Sequence, residues 1–137
     1  MHKNLYKVHQ RVALKFCQGR ALLAGDSAHV NNTVGGLGLN GGIHDAMELV
    51  DTLIEVERNG ADRGLLDRYE RRRRTLNIEF VQEQTINNKK RLEEKDPAAR
   101  QARFDELRAI AEDLKRHRQF LLRTSLIESV RKSKTIT

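Results

Sequence analysis

Gly25–Ala46, GDSAHVNNTVGGLGLNGGIHDA, is the stretch that decides how this chain is read. It holds six of the nine glycines found in 137 residues, interleaved with Asp26 and Asp45, His29 and His44, and Asn31, Asn32 and Asn40. Just before it, Ala21–Ala24 is a continuous apolar run, suited to a strand buried on both faces. Just after it, from Gly42 onward, Ile43, Ala46, Met47, Val50, Leu53 and Ile54 recur at helical spacing. A glycine-rich loop running into a helix N-terminus lets backbone N–H groups approach a ligand closely and presents positive potential to it. Gly36–Gly41 matches G-x-G-x-x-G, but the polar segment Asp26–Val34 separates it from the strand, and a dinucleotide fingerprint follows its strand directly. On pattern alone, a plain strand-to-helix connection is equally compatible.

Working outward, Val12–Phe16 alternates as a half-buried strand, and Gln18-Gly19-Arg20 supplies a turn. Asn40 or Gly41 is expected to cap the first helix, with Asp45 and Glu48 in its first turns. Asn59-Gly60 ends it. Leu65, Leu66, Tyr69, Leu76, Phe80 and Val81 give an amphipathic pattern over roughly Asp62–Leu92. Asp96-Pro97 starts another helix, with a capping acid and Pro at the first helical position. Phe104, Leu107, Ile110, Ala111, Leu114 and Leu121 carry that helix forward. Leu122–Val130 extends it or forms a short terminal helix, and the tail RKSKTIT is expected to fray.

Composition bounds the function. Aromatic residues are 4% and charged residues 33%, so a helix-rich chain with large solvated faces is expected. No apolar stretch approaches the ~18 residues of a membrane span, and MHKNLYKVHQRV lacks the apolar core of a signal peptide. The lone Cys17 fits a reducing, cytoplasmic setting. No metal site is expected. The net charge of +7 is unevenly placed. Residues 1–60 hold six Lys+Arg against six Asp+Glu, and residues 61–137 hold the remaining twenty against thirteen. The chain therefore divides near Gly60 into a strand–loop–helix part, 1–60, and a helical part, 61–137.

GRALLAGDSAHVNNTVGGLGLNGGIHDAMEL resembles the second flavin-binding motif of the class A flavoprotein aromatic monooxygenases, the para-hydroxybenzoate hydroxylase family. The matching residues are Gly19-Arg20, Gly25-Asp26, Ala28-His29, Gly35-Gly36, Gly38, Asn40 and Asp45-Ala46. The flanking YKVHQRVALKF and LLDRYERRRR are similar too, so the resemblance spans roughly residues 6–80. It implies a fold that is mainly α with a short β segment, the C-terminal portion of an α/β FAD-binding domain. It also implies a set of cofactor-binding residues: Gly25, Asp26, Gly35, Gly36, Gly38, Leu39 and Asn40. Asp26 would accept hydrogen bonds from the ribityl hydroxyls of FAD, and Gly35–Asn40 would lie along the flavin's pyrimidine edge. His29 is expected to hold the loop, and Asp45 to cap or pack. No catalytic residue is assigned. The implied activity is hydroxylation of a small phenol-like substrate with NAD(P)H and O2.

Two departures accompany the resemblance. Thr33 stands where many members have proline, and is expected to loosen the loop. The chain also lacks the N-terminal unit that holds the ADP half of FAD, so this sequence reads as part of a longer enzyme. On its own it is expected to bind FAD weakly, with a mobile Gly25–Asn40 loop and a core formed by its paired long helices, with homodimerisation through them. The alternative function is a basic helical module. Arg71–Arg74, Lys89–Arg91 and Arg116–Arg118 would bind nucleic acid, or the Phe104–Leu121 stripe would dimerise. Thirteen acids and no interleaved aromatics weigh against nucleic acid.

Overall fold

The structure is a computed structural model and describes residues 7–137. The reading of the N-terminal leader and the start of the resemblance at Tyr6 fall partly on residues 1–6, outside the described residues. Four two-residue strands form two antiparallel pairs. β1 (Arg11–Val12) pairs with β4 (His29–Val30), and β2 (Cys17–Gln18) pairs with β3 (Ala21–Leu22). A 3-10 turn, Gly25–Ser27, lies between β3 and β4. Six helices follow: α1 (Leu37–Glu57), α2 (Gly64–Leu76), α3 (Glu83–Glu93), α4 (Pro97–Glu112), α5 (Leu114–Thr124) and α6 (Ile127–Ser133). A π-helical segment, Asn77–Gln82, joins α2 to α3 without a break.

The β region departs from expectation. Val12–Phe16 is not one strand: Val12 faces His29, while the hairpin lies further on, turning at Gly19 with φ +60°. The reason is a competing partner for the backbone. Glu70 of α2 accepts the N–H groups of both Phe16 and Cys17, at 2.7 and 2.8 Å, so Phe16 drops into the core instead of continuing a ladder. Ala21–Ala24 is exposed or half-buried, not covered on both faces. Tyr69 anchors its end, being fully buried and donating its hydroxyl to the Leu23 carbonyl at 2.8 Å.

α1 also starts earlier and turns differently than its apolar spacing predicts. Its first residue is Leu37, not Gly42, and its N-cap is Gly36 at φ +65°, a left-handed position natural to glycine. Asn40 and Gly41 are therefore inside the helix, and Asp45 sits in its third turn. The stripe read as core points outward: Met47 is 62% and Val50 54% exposed. The buried face carries Gly41, Asp45, Thr52 and Val56 instead. It is buried because α2 supplies arginine partners for its acids.

Two small cores hold the chain together. Phe16, Ala28 and Tyr69 form one, flanked by Val12, Leu23 and Leu49. Leu37, Leu76, Phe80, Val81 and Leu126 form the other, which joins the start of α1 to the π segment and to the left-handed residue before α6. The expected pairing of two long helices into the main core is not what forms. α4 and α5 contain no buried residue. Asp96 caps α4, accepting from Ala98 and Ala99, with Pro97 at the first helical position as read from the sequence. The single helix expected through Leu121 breaks at Asp113, whose carboxylate caps α5 through Lys115 and Arg116. No helix among the described residues is long and apolar enough to cross a membrane.

Candidate functional site

The 3-10 turn and the start of α1 are separated in sequence but meet in space. Asp45 brings them together. Its Oδ2 accepts the Gly25 N–H at 3.0 Å and pairs with His29 Nε2 at 2.6 Å, while Oδ1 accepts Arg73 Nε at 2.7 Å. All three side chains are essentially buried. The approach is close enough to need glycine twice: a Cβ on Gly42 would stand 3.3 Å from the Gly25 Cα, and Gly25 itself has φ +61°. Burial alone pushes the Asp45 carboxyl up; the hydrogen bond from His29 and the charge of Arg73 outweigh it and hold the group below the ordinary aspartate value.

This arrangement leaves Asp26, next in the chain, exposed, with no hydrogen-bond partner among the described residues. Gly35 and Gly36 both have positive φ, +103° and +65°, and are exposed. Gly38 backs onto the Asn31 side chain. Leu39, 75% exposed, and Asn40 sit in the first turn of α1. No side chain caps that turn and no acid lies in it, so its N–H groups face outward with the helix's positive end. Asp26 and Gly35–Asn40 thus pair a free carboxylate acceptor with a row of backbone donors.

Between them, the loop is held through Asn32 by the Gln10 side chain and the Thr85 backbone. Asn32, 5% exposed, donates to Gln10 Oε1 at 2.7 Å and to the Thr85 carbonyl at 3.1 Å, and accepts the Val34 N–H at 3.1 Å. The loop thus has hydrogen-bond partners on either side of Thr33. His29 holds the loop as expected.

The arginine run does not make a common basic face. Arg71 reaches the Thr137 carbonyl, Arg72 the Ile136 carbonyl and Glu48, Arg73 Asp45, and Arg74 the Ala13 carbonyl. Four consecutive side chains are tied to the C-terminal tail, α1 and Ala13, so the nucleic-acid reading gains no support. The buried Asp45–Arg73 pair was missed because its partners lie far apart in sequence and Arg73 was read as one of a solvated run.

Comparison with known proteins agrees with this geometry. A family described as FAD binding domain matches residues 1–84. The chain is 44% identical over 121 residues to para-nitrophenol 4-monooxygenase of Pseudomonas sp. (strain WBC-3), covering 88% of this chain and 30% of that protein. It is 38% identical to 6-hydroxy-3-succinoylpyridine 3-monooxygenase of Pseudomonas putida, covering 85% and 30%. Its fold matches a crystal structure of p-nitrophenol 4-monooxygenase from Pseudomonas putida DLL-E4 with a TM-score of 0.81, at 43% identity, over 85% of this chain and 30% of that one. It also matches the rebeccamycin biosynthetic enzyme RebC with reduced flavin, at a TM-score of 0.60 and 30% identity, over 92% and 22%. The chain spans about a third or less of the length of these relatives. Strand, Gly-Asp turn, glycine loop and helix are all present in order, and the chain belongs to the FAD-binding domain family of the class A flavoprotein aromatic monooxygenases.

Proposed function

We propose that this chain supplies the flavin-ring side of the FAD site in an aromatic hydroxylase acting on a small phenol-like substrate with NAD(P)H and O2. The observations that carry the reading are the unpartnered Asp26 carboxylate, on a turn whose Gly25 packs against Gly42 of α1, and the uncapped first turn of that helix. Residues 1–60 are the C-terminal part of the FAD domain and 61–137 a helical region that braces it. A cytoplasmic setting suits the free Cys17 thiol, which burial and then the charges of Glu70 and Asp67 push up to about 11, making it a poor nucleophile.

The donor set fits FAD. Asp26 offers acceptor oxygens to the cofactor's hydroxyls. Gly25, Gly35, Gly36 and Gly38 keep the backbone accessible, and the N–H groups of Leu39 and Asn40 lie at the positive end of α1. That end favours an acceptor-rich edge, and favours it more when the edge carries negative charge. When bound, the flavin takes electrons from NAD(P)H and activates O2 for insertion into the substrate ring. This chain's residues bind and orient it; Asp45, His29 and Arg73 keep the binding turn in place.

Asp26→Ala is expected to weaken flavin affinity by roughly 1.5–3 kcal/mol, the usual value of a hydrogen bond to a charged group, or about 10- to 150-fold. The readout is the FAD concentration at which the amide shifts of Gly35–Asn40 reach half maximum. An unchanged midpoint removes Asp26 from the site.

α4 and α5 leave Phe104, Leu107, Leu114 and Leu121 exposed, and these support a homodimer through the C-terminal helices. Sedimentation equilibrium is expected to show twice the monomer mass, and Leu121→Glu to return it to one. A monomer at all concentrations contradicts that arrangement.

A further inference from the structure

We propose that Gln10, Asn32 and Thr85 form a clamp that positions the glycine loop, so that Asn32 is a positioning residue for the flavin site. The inference rests on the reading of that loop as a flavin loop. Three residues spaced three apart on the π segment and α3 bond to β4 and the loop, Gln82 and Asn88 through their side chains and Thr85 through its backbone carbonyl. Gln82 donates to the Val30 carbonyl at 3.1 Å, the Thr85 carbonyl accepts from Asn32, and Asn88 lies at the Val34 carbonyl at 3.5 Å. Gln10 closes the clamp from the other end of the chain. Its Oε1 accepts both the backbone N–H and the side-chain amide of Asn32, at 3.1 and 2.7 Å, and its Nε2 donates to Thr85 Oγ1 at 2.8 Å.

Asn32 is the point where these bonds converge. Every polar atom of its side chain is used: Nδ2 donates twice, and Oδ1 accepts from Val34. The Val34 bond fixes the start of the turn in which the Gly36 N–H meets the Thr33 carbonyl at 3.1 Å. That turn delivers Gly36 to its left-handed position as the N-cap of α1. The order is therefore Asn32, turn, Gly36, first turn of α1. Displacing Asn32 would redirect the N–H row that faces the cofactor, although Asn32 touches no cofactor itself. The side chains do the stiffening here that a fixed φ would otherwise do.

The Thr33 N–H makes no hydrogen bond among the described residues. Proline at that position therefore removes no donor that is in use, and can restore stiffness without restoring the clamp.

The test is amide hydrogen exchange on the 137-residue chain, followed by FAD titration of the same samples. Asn32→Ala is expected to speed exchange at Val34 and Gly36 by about tenfold or more, since each lost bond contributes on that order. It should weaken FAD affinity by a comparable factor. Adding Thr33→Pro to Asn32→Ala should recover loop protection and FAD affinity together while leaving the unfolding midpoint low. A merely structural Asn32 would show no such rescue. Unchanged exchange in Asn32→Ala overturns the clamp. Faster exchange with unchanged FAD affinity overturns the positioning role and leaves the flavin reading intact. If the unsubstituted chain shows no FAD-induced shift, the flavin reading and the positioning role fall together.

Discussion

Asp45→Ala is expected to destabilise the chain by about 3 kcal/mol, because it removes the 2.7 Å partner of the buried Arg73 guanidinium and leaves only the more distant Glu48, at 3.9 Å, as a counter-charge. Arg73 is only 4% exposed, on the buried face of α2. The Gly25 N–H and His29 Nε2 lose their acceptor at the same time. Against a typical total of about 5–15 kcal/mol, that is a large share. Asp45→Leu combined with Arg73→Met should lose less than Asp45→Leu alone, since no orphaned charge remains. The pH dependence has a fixed sign. Asp45 titrates lower folded than unfolded, so its contribution is complete above about pH 4 and disappears as pH falls through the lower folded value. In urea unfolding, the advantage of the unsubstituted chain over Asp45→Asn should be full at neutral pH and shrink below about pH 4. A constant gap down to acid pH would mean that the carboxylate's charge is not what stabilises the fold.

Phe80→Ala is expected to cost about 3–5 kcal/mol through lost burial and a residual cavity. Phe80 is 3% exposed within the cluster of Leu37, Leu76, Val81 and Leu126, and the Arg123 guanidinium stacks 4.9 Å from its ring centre. The consequence reaches the site because Leu37 is the first residue of α1. Loosening its packing loosens the turn that presents Leu39 and Asn40. The measurement is urea unfolding, with the expected signature a lower midpoint at unchanged slope. A loss below about 1 kcal/mol would show that this cluster does not hold the helix start.

How much was legible in the sequence follows from which interactions are local. Asp96-Pro97 and the glycine loop were legible because capping and turn chemistry act within a few residues. The break at Asp113 had a local signal as well, an acid placed to accept from Lys115 and Arg116. It was masked by apolar residues that keep helical spacing across it, from Ile110 to Leu114. The turned face of α1 was not legible, because two faces competed. Ile43, Met47, Val50 and Ile54 make the better apolar stripe, yet Asp45 and Glu48 meet Arg73 and Arg72 from α2. That choice depends on tertiary partners more than twenty residues away. The same holds for Glu70, which replaces a strand ladder at Phe16 and Cys17. For the candidate site, the proposed residue set comes from the motif. The means of holding it, Asp45 with Arg73 and Asn32 with Thr85, came only from the fold.

The most direct test of the central claim is an amide-resolved NMR titration of the 137-residue chain with FAD. Shifts are predicted at Asp26 and through Gly35–Asn40, with α4 and α5 unmoved, even if saturation needs high FAD concentration. No shift at any attainable concentration, or shifts confined to the exposed groove of Leu114, Leu121 and Ile127, would contradict the account.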